Sequence, residues 1–241
     1  MKARYIMILS LLAAALSSCK VNDIAYYSED ARIEFSGASG YTFTDEDWLN
    51  TYVLGNAAYV DGEFTAQLIG YALDAPRTFA VKSAPVENSP FSPELEFSNP
   101  YEFPAGEYTV DAPFRIKCPD ETAASTVKTT RNGFMDIVYD NDSEYQQFGA
   151  GRKENLSYRV SVNLVLYPDD WSIPHWGRYS TSKYLLMMRT CGAVHKDIEY
   201  NITNYLKIIE AYAKYKEEYE KPLYGDDEYA GEEIEFPQFN G

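Results

Sequence analysis

The chain has 241 residues, with 37 acidic against 21 basic side chains and a formal net charge of −16. That length allows one large domain or two small ones, either able to bury a core, and the acidity excludes a nucleic-acid surface, which needs clustered Lys and Arg. Three Cys and two His exclude a disulfide-built scaffold and a multi-His metal centre.

Residues 1–18 have the parts of a secretion signal: basic Lys2 and Arg4, then an apolar run from Tyr5 to Leu16 that is too short for a membrane span. The run ends Leu16-Ser17-Ser18-Cys19, which resembles the lipobox of bacterial lipoproteins. That resemblance implies cleavage before Cys19 and acylation of its thiol, with residues 19–30 as an acylated linker. The chain from Cys19 onward has 19 basic and 37 acidic residues, a charge of −18. Anionic lipid repels so acidic a body, so the membrane hold must come from the N-terminal acyl chains. Lys20-Val21-Asn22-Asp23 is only weakly acidic after the Cys, which leaves periplasmic and surface-facing sides of the outer membrane both open.

In chain order, strand patterns fall at Arg32–Phe35, Glu63–Leu73, Arg77–Ala84, Phe114–Cys118 and Gly133–Tyr139. The strongest alternation runs from Leu156 to Leu166, where Tyr158, Val160, Val162 and Leu164 share a face, predicting a half-buried antiparallel strand. Asp61-Gly62, Asp74-Ala75-Pro76, the stretch Pro85–Pro104 and Arg131-Asn132-Gly133 read as turns between them. The expected fold is mainly β, an Ig-like antiparallel β-sandwich over 31–168. A Trp loop and a two-helix extension follow over 169–222, packed on the sandwich.

Ser180 is placed to cap a helix from Thr181 to Cys191, with Gly192 as its terminator; a strand over Lys183–Thr190 is the competing reading. The second helix rests on Ile198, Ile202, Tyr205, Leu206, Ile209, Tyr212 and Tyr219 at helical spacing, and ends before Pro222. Residues 223–241 read as an acidic tail, with Ile234-Glu235-Phe236-Pro237 as a short edge strand.

Four short motifs in order resemble a domain-of-unknown-function lipoprotein family of Bacteroidota-type bacteria. They are Phe103-Pro104-Ala105-Gly106, Pro168-Asp169-Asp170-Trp171, Gly177-Arg178-Tyr179-Ser180-Thr181-Ser182-Lys183 and Ile234-Glu235-Phe236-Pro237, downstream of the lipobox. The resemblance implies a place beside SusC/SusD-type outer-membrane uptake pairs. It implies no catalytic residues.

No G-x-S-x-G elbow, H-E-x-x-H or Gly-rich phosphate loop is present, so no catalytic residue and no cofactor is expected. His175 and His195 read as surface or helix-end imidazoles rather than general bases. Asp140, Asp142 and Glu144 alternate as oxygen ligands for Ca²⁺, without the glycine and distal Glu of an EF-hand; Asp45-Glu46-Asp47 is a weaker case. Cys118 and Cys191 are the pair available for a disulfide outside the cytoplasm, the alternative being two separate buried thiols. Within Trp171–Tyr179, Trp171 reads as a core anchor, while Trp176, Arg178 and Tyr179 are the candidate ligand contacts, suited to stacking and hydrogen-bonding a glycan. The function expected is a non-catalytic envelope lipoprotein, an accessory binding or scaffolding component of glycan or peptide uptake. A carboxylate-based glycan hydrolase and a structural assembly factor are the alternatives.

Overall fold

The structure is a computed structural model that describes residues 31–125 and 131–240. The lipobox and Cys19 lie outside the described residues. The strands are β1 (Arg32–Phe43), β2 (Tyr59–Ile69), β3 (Arg77–Phe79), β4 (Val81–Pro85), β5 (Leu95–Phe97), β6 (Tyr101–Phe103), β7 (Thr109–Lys117), β8 (Ala124–Ser125), β9 (Asn132–Tyr139), β10 (Gly149–Ala150) and β11 (Leu156–Val165). The helices are α1 (Asp45–Tyr52), α2 (Ile173–Trp176), α3 (Thr181–Cys191) and α4 (Ile202–Tyr219). The protein is mainly β. A large sheet runs β4-β9-β11-β1-β2-β7-β5, with β10 beside β1, β8 beside β11, and β3-β6 as a separate pair.

Alternation places these strands. Val160, Val162 and Leu164 of β11, Ala112, Phe114 and Ile116 of β7, and Phe64, Ala66 and Leu68 of β2 all point into the core. On the wet face Arg115 and Lys117 of β7 pair with Glu96 and Glu94. The antiparallel expectation holds for β11 against β9 but not throughout, because β1 lies parallel to β11 from Phe35↔Leu156 to Phe43↔Leu164. Before that stretch, Arg32–Glu34 of β1 pair antiparallel with β2.

Two of the expected turns are strand interior. Gly62 lies within β2 and Gly133 within β9, each beneath an aromatic ring. A Cβ on Gly62 would come 2.6 Å from the Phe114 ring, and one on Gly133 2.4 Å from the Phe91 ring. These glycines make room for a ring rather than turn the chain. The Pro85–Pro104 stretch likewise contains β5 and β6, and the Arg77–Ala84 run is divided at Ala80 between β3 and β4.

Helix α3 has the expected caps: the Ser180 hydroxyl accepts from the Lys183 N–H at 3.2 Å, and Gly192 ends the helix at φ 65°. Tyr184, Leu185, Met187 and Met188 are buried along it. Helix α4 packs against α3 and buries Ile208 and Tyr212, whereas Ile202 and Leu206 are exposed and Ile198 precedes the helix. Ile234–Pro237 forms no edge strand. It closes over the helices instead, with Phe236 against Tyr212 and the Tyr205 hydroxyl donating to the Pro237 carbonyl at 2.7 Å. Among the described residues no helix is long and apolar enough to cross a membrane.

Candidate functional site

The segment after β11 forms one wall of a groove. Ser172 leads into the single turn of α2, and Gly177 at φ 74° reverses the chain. The Trp171 indole N–H donates to the Gly177 carbonyl at 2.9 Å, fixing that reversal, and the Trp171 ring meets Tyr179 and Tyr184 edge-on. Trp171 is therefore the core anchor expected of it. Trp176 is also core: it is 1% exposed and its ring meets Tyr200 edge-on. Its expected ligand contact is corrected, since no face of the indole is open.

Lys183 closes the site from below. It is 1% exposed, and its ammonium donates to the carbonyls of Trp176 (2.9 Å), Arg178 (2.6 Å) and Glu235 (2.8 Å). Burial lowers its pKa to about 8, while three oxygens match the three protons of the charged form. The tail is tied to the start of α3 as well. Thr181 N–H donates to Asp226 at 2.6 Å, and the Ser182 hydroxyl donates to the Tyr224 carbonyl at 2.8 Å.

Between this loop and the tail lies a groove of about 780 Å³, walled by Ile173, Arg178, Tyr179, Tyr229, Glu232 and Phe236, among others. Arg178 is mostly exposed. Its guanidinium lies 4.1 Å from the centre of the Tyr229 ring and meets Glu232 at 3.3 Å. An adjoining pocket of about 220 Å³ shares Ile173, Arg178, Tyr179 and Tyr229 and adds Tyr167, Trp171 and the acids Asp226, Asp227 and Glu228. Of the three expected ligand contacts, Arg178 and Tyr179 line these concavities and Trp176 does not. Tyr229 and Glu232, in the stretch read as an acidic tail, were missed; their spacing carries no motif.

The other expected sites dissolve into structural contacts. Asp140 and Asp142 both bind the Lys82 ammonium at 2.9 Å, which holds Asp140 below the usual carboxylate range, so a cation of the chain itself stands between the Ca²⁺ ligands proposed with Glu144. Asp45-Glu46-Asp47 opens α1: Asp47 accepts from the Thr44 N–H in a capping box, Asp45 from the Tyr184 hydroxyl, and Glu46 pairs with Lys196. Among the described residues no group of three or more metal-ligating side chains is assembled. Cys118 and Cys191 are both free, not a disulfide. Burial pushes the Cys118 thiol up to about 12, and a thiol so hard to ionise resists exchange.

His195 sits at a helix end, opening the turn His195–Asp197, but not at the surface. It is buried, its Nδ1 lies 2.9 Å from Asp170, and its Nε2 is sealed from solvent without a partner. A base must reach the proton it takes, and this nitrogen reaches no open site. His175 stacks flat on Tyr200 at 4.0 Å.

No protein-family model matches the sequence, and no curated protein matches it. Among solved structures, the apo-form Calx CBD1 domain aligns over 58% of this chain and 100% of its own length, at 12% identity and a TM-score of 0.33. A two-domain protein of unknown function from Bacteroides fragilis aligns over 57% of this chain, at 10% identity and a TM-score of 0.32. A protein of unknown function from Bacteroides ovatus does so over 57%, at 12% identity and 0.30. The chain spans 46% and 45% of those two Bacteroides proteins.

Proposed function

We propose that this chain is a non-catalytic cell-envelope lipoprotein, held in the outer membrane by acyl chains on Cys19. In this reading its C-terminal groove captures a glycan or peptide beside a SusC/SusD-type importer. The observation that carries it is the groove: a concavity of about 780 Å³ with an exposed arginine laid on the Tyr229 ring and Glu232 beside it. Beneath it we propose an Ig-like β-sandwich. The chain order of the strands supports this, since β1-β2-β7-β5 and β4-β9-β11 match the A-B-E-D and C-F-G sets of a constant-type Ig domain. Phe64 of β2 touching Tyr158 of β11, with ring centres 6.1 Å apart, supports the two halves facing each other about β1.

The test has two parts. Cys19→Ala is expected to abolish acyl labelling and release the protein from washed membranes. Glycan and peptide arrays, followed by titration with Tyr229→Ala as control, are expected to find a ligand that the variant binds about 5–100-fold more weakly. A membrane-retained Cys19→Ala protein, or arrays without a hit, would sink the corresponding half.

A further inference from the structure

The smaller of the two adjoining pockets has a chemistry of its own. Tyr167, Trp171, Tyr179 and Tyr229 give it aromatic walls, Asp226, Asp227 and Glu228 give it carboxylates, and Arg178 is the only cation among its lining residues. The walls are set in place by one another: Tyr167 meets Tyr179 edge-on at 4.7 Å, and Trp171 meets Tyr179 edge-on at 5.1 Å. Little ordering is left for a ligand to impose.

The neighbouring groove shows what such a surface holds. Arg178 lies on Tyr229 with Glu232 beside it, and the Lys183 ammonium lies 5.1 Å from the Phe236 ring while bound to three carbonyls. Twice the chain sets a cation of its own between an aromatic face and oxygen acceptors, the arrangement that the ring quadrupole favours. The hydroxyls of Tyr179 and Thr181 are also buried near each other, neither in a well-formed hydrogen bond, and Asp226 accepts the Thr181 N–H. Burial holds the Tyr179 phenol neutral, so it is an oxygen able to accept from an N–H.

We propose that this aromatic and acidic pocket binds an organic ammonium group, carried either by a small amine or by a lysine side chain. The proposal rests on the C-terminal groove being a binding site and names the ligand chemistry there. An anion is repelled by the three carboxylates, and a neutral ring gains stacking alone.

The probes are choline and its neutral isostere 3,3-dimethyl-1-butanol, titrated into the purified chain at low salt with indole fluorescence as readout. Choline is expected to saturate, with the isostere about tenfold weaker or more. Asp226→Asn keeps an acceptor for Thr181 N–H but loses the charge, and is expected to weaken choline about tenfold while the cooperative unfolding transition is retained. Raising the ionic strength should weaken choline and leave the isostere alone, which tests the charge without any variant. A capped Lys tripeptide compared with its Nε-acetyl form distinguishes the sources: binding that acetylation removes assigns a lysine side chain, and choline binding without peptide binding assigns a small amine. Equal affinity for choline and isostere, or no salt effect, overturns the proposal. Glycan binding that Tyr229→Ala abolishes, with no choline response, overturns the ammonium class and leaves the binding-module reading standing.

Discussion

The Lys183 ammonium donates to the Glu235 carbonyl at 2.8 Å, joining the first turn of α3 to a tail 52 residues further along the chain. The same nitrogen holds the carbonyls of Trp176 and Arg178, so one side chain sets the distance between both walls of the groove. Gly177 is part of this latch, because a Cβ there would come 3.0 Å from the Glu235 oxygen and 3.3 Å from Lys183 Nζ.

Lys183→Met keeps the volume and removes all three donors. Relief of the buried charge offsets part of the loss, so a net cost of about 1–3 kcal/mol is expected. The sharper signature is local. Amide exchange should speed up in residues 234–240 well before the sheet is affected, and uniform exchange along the chain would show that the latch does not hold the tail.

Trp176→Ala is expected to cost about 3–5 kcal/mol in denaturant unfolding, since a buried indole leaves a cavity that a rigid surround cannot fill. An unchanged midpoint would return Trp176 to the surface.

Much of this was legible in the residues, where one face is wet and the other dry. β11 and β7 alternate cleanly, and Ser180 and Gly192 bracket α3 because caps have their own side-chain chemistry. Gly62 and Gly133 misled because a glycine that makes room for a ring is spelled like one that turns a chain. The acids at Asp45–Asp47 suggested metal ligands but serve a helix start, where carboxylates also belong. The Trp loop was found through its aromatics, yet the groove was not, because its other wall depends on one backbone carbonyl of the tail, that of Glu235, meeting Lys183. Carbonyl recognition leaves no mark on side-chain identity.

Glu34 predicts how the protein meets acid. The residue is 4% exposed, and its carboxylate accepts from the Arg152 backbone N–H (2.6 Å), the Arg152 guanidinium (2.9 Å) and Asn155 (2.8 Å). The Arg152 side chain foremost holds its pKa at about 2 against an ordinary 4.5, with burial opposing. A depressed acid stabilises the fold fully above the unfolded value. That contribution is lost as the pH falls from 4.5 towards 2. Glu34→Gln is expected to lower stability at neutral pH by about 1–3 kcal/mol and to flatten the acid limb. The measurement is urea unfolding across that pH range; parallel curves for both proteins would contradict the assignment.

The register of α4 gives the last test. The helix carries two apolar rows one position apart: Ile202, Leu206 and Ile209, and Tyr205, Ile208 and Tyr212. A 3.6-residue period cannot choose between them, and the sequence reading leaned on the wrong one for Leu206. In the structure Leu206 is 56% exposed and Ile208 is 0% exposed. Tyr205 and Tyr212 reach onward to the tail, donating to the Pro237 carbonyl and the Glu233 carboxylate. A helix with hydroxyls committed to the tail on one row has its rotation fixed, which turns the aliphatic row of Ile202 and Leu206 to solvent. Ile208→Ala should therefore cost about 2–5 kcal/mol, as a truncation in a close-packed contact does. Leu206→Ala should stay within about 0.5 kcal/mol, as at any surface position without a special contact. Equal losses from the two substitutions in paired unfolding curves would mean that α4 is rotated and that both rows share the burial.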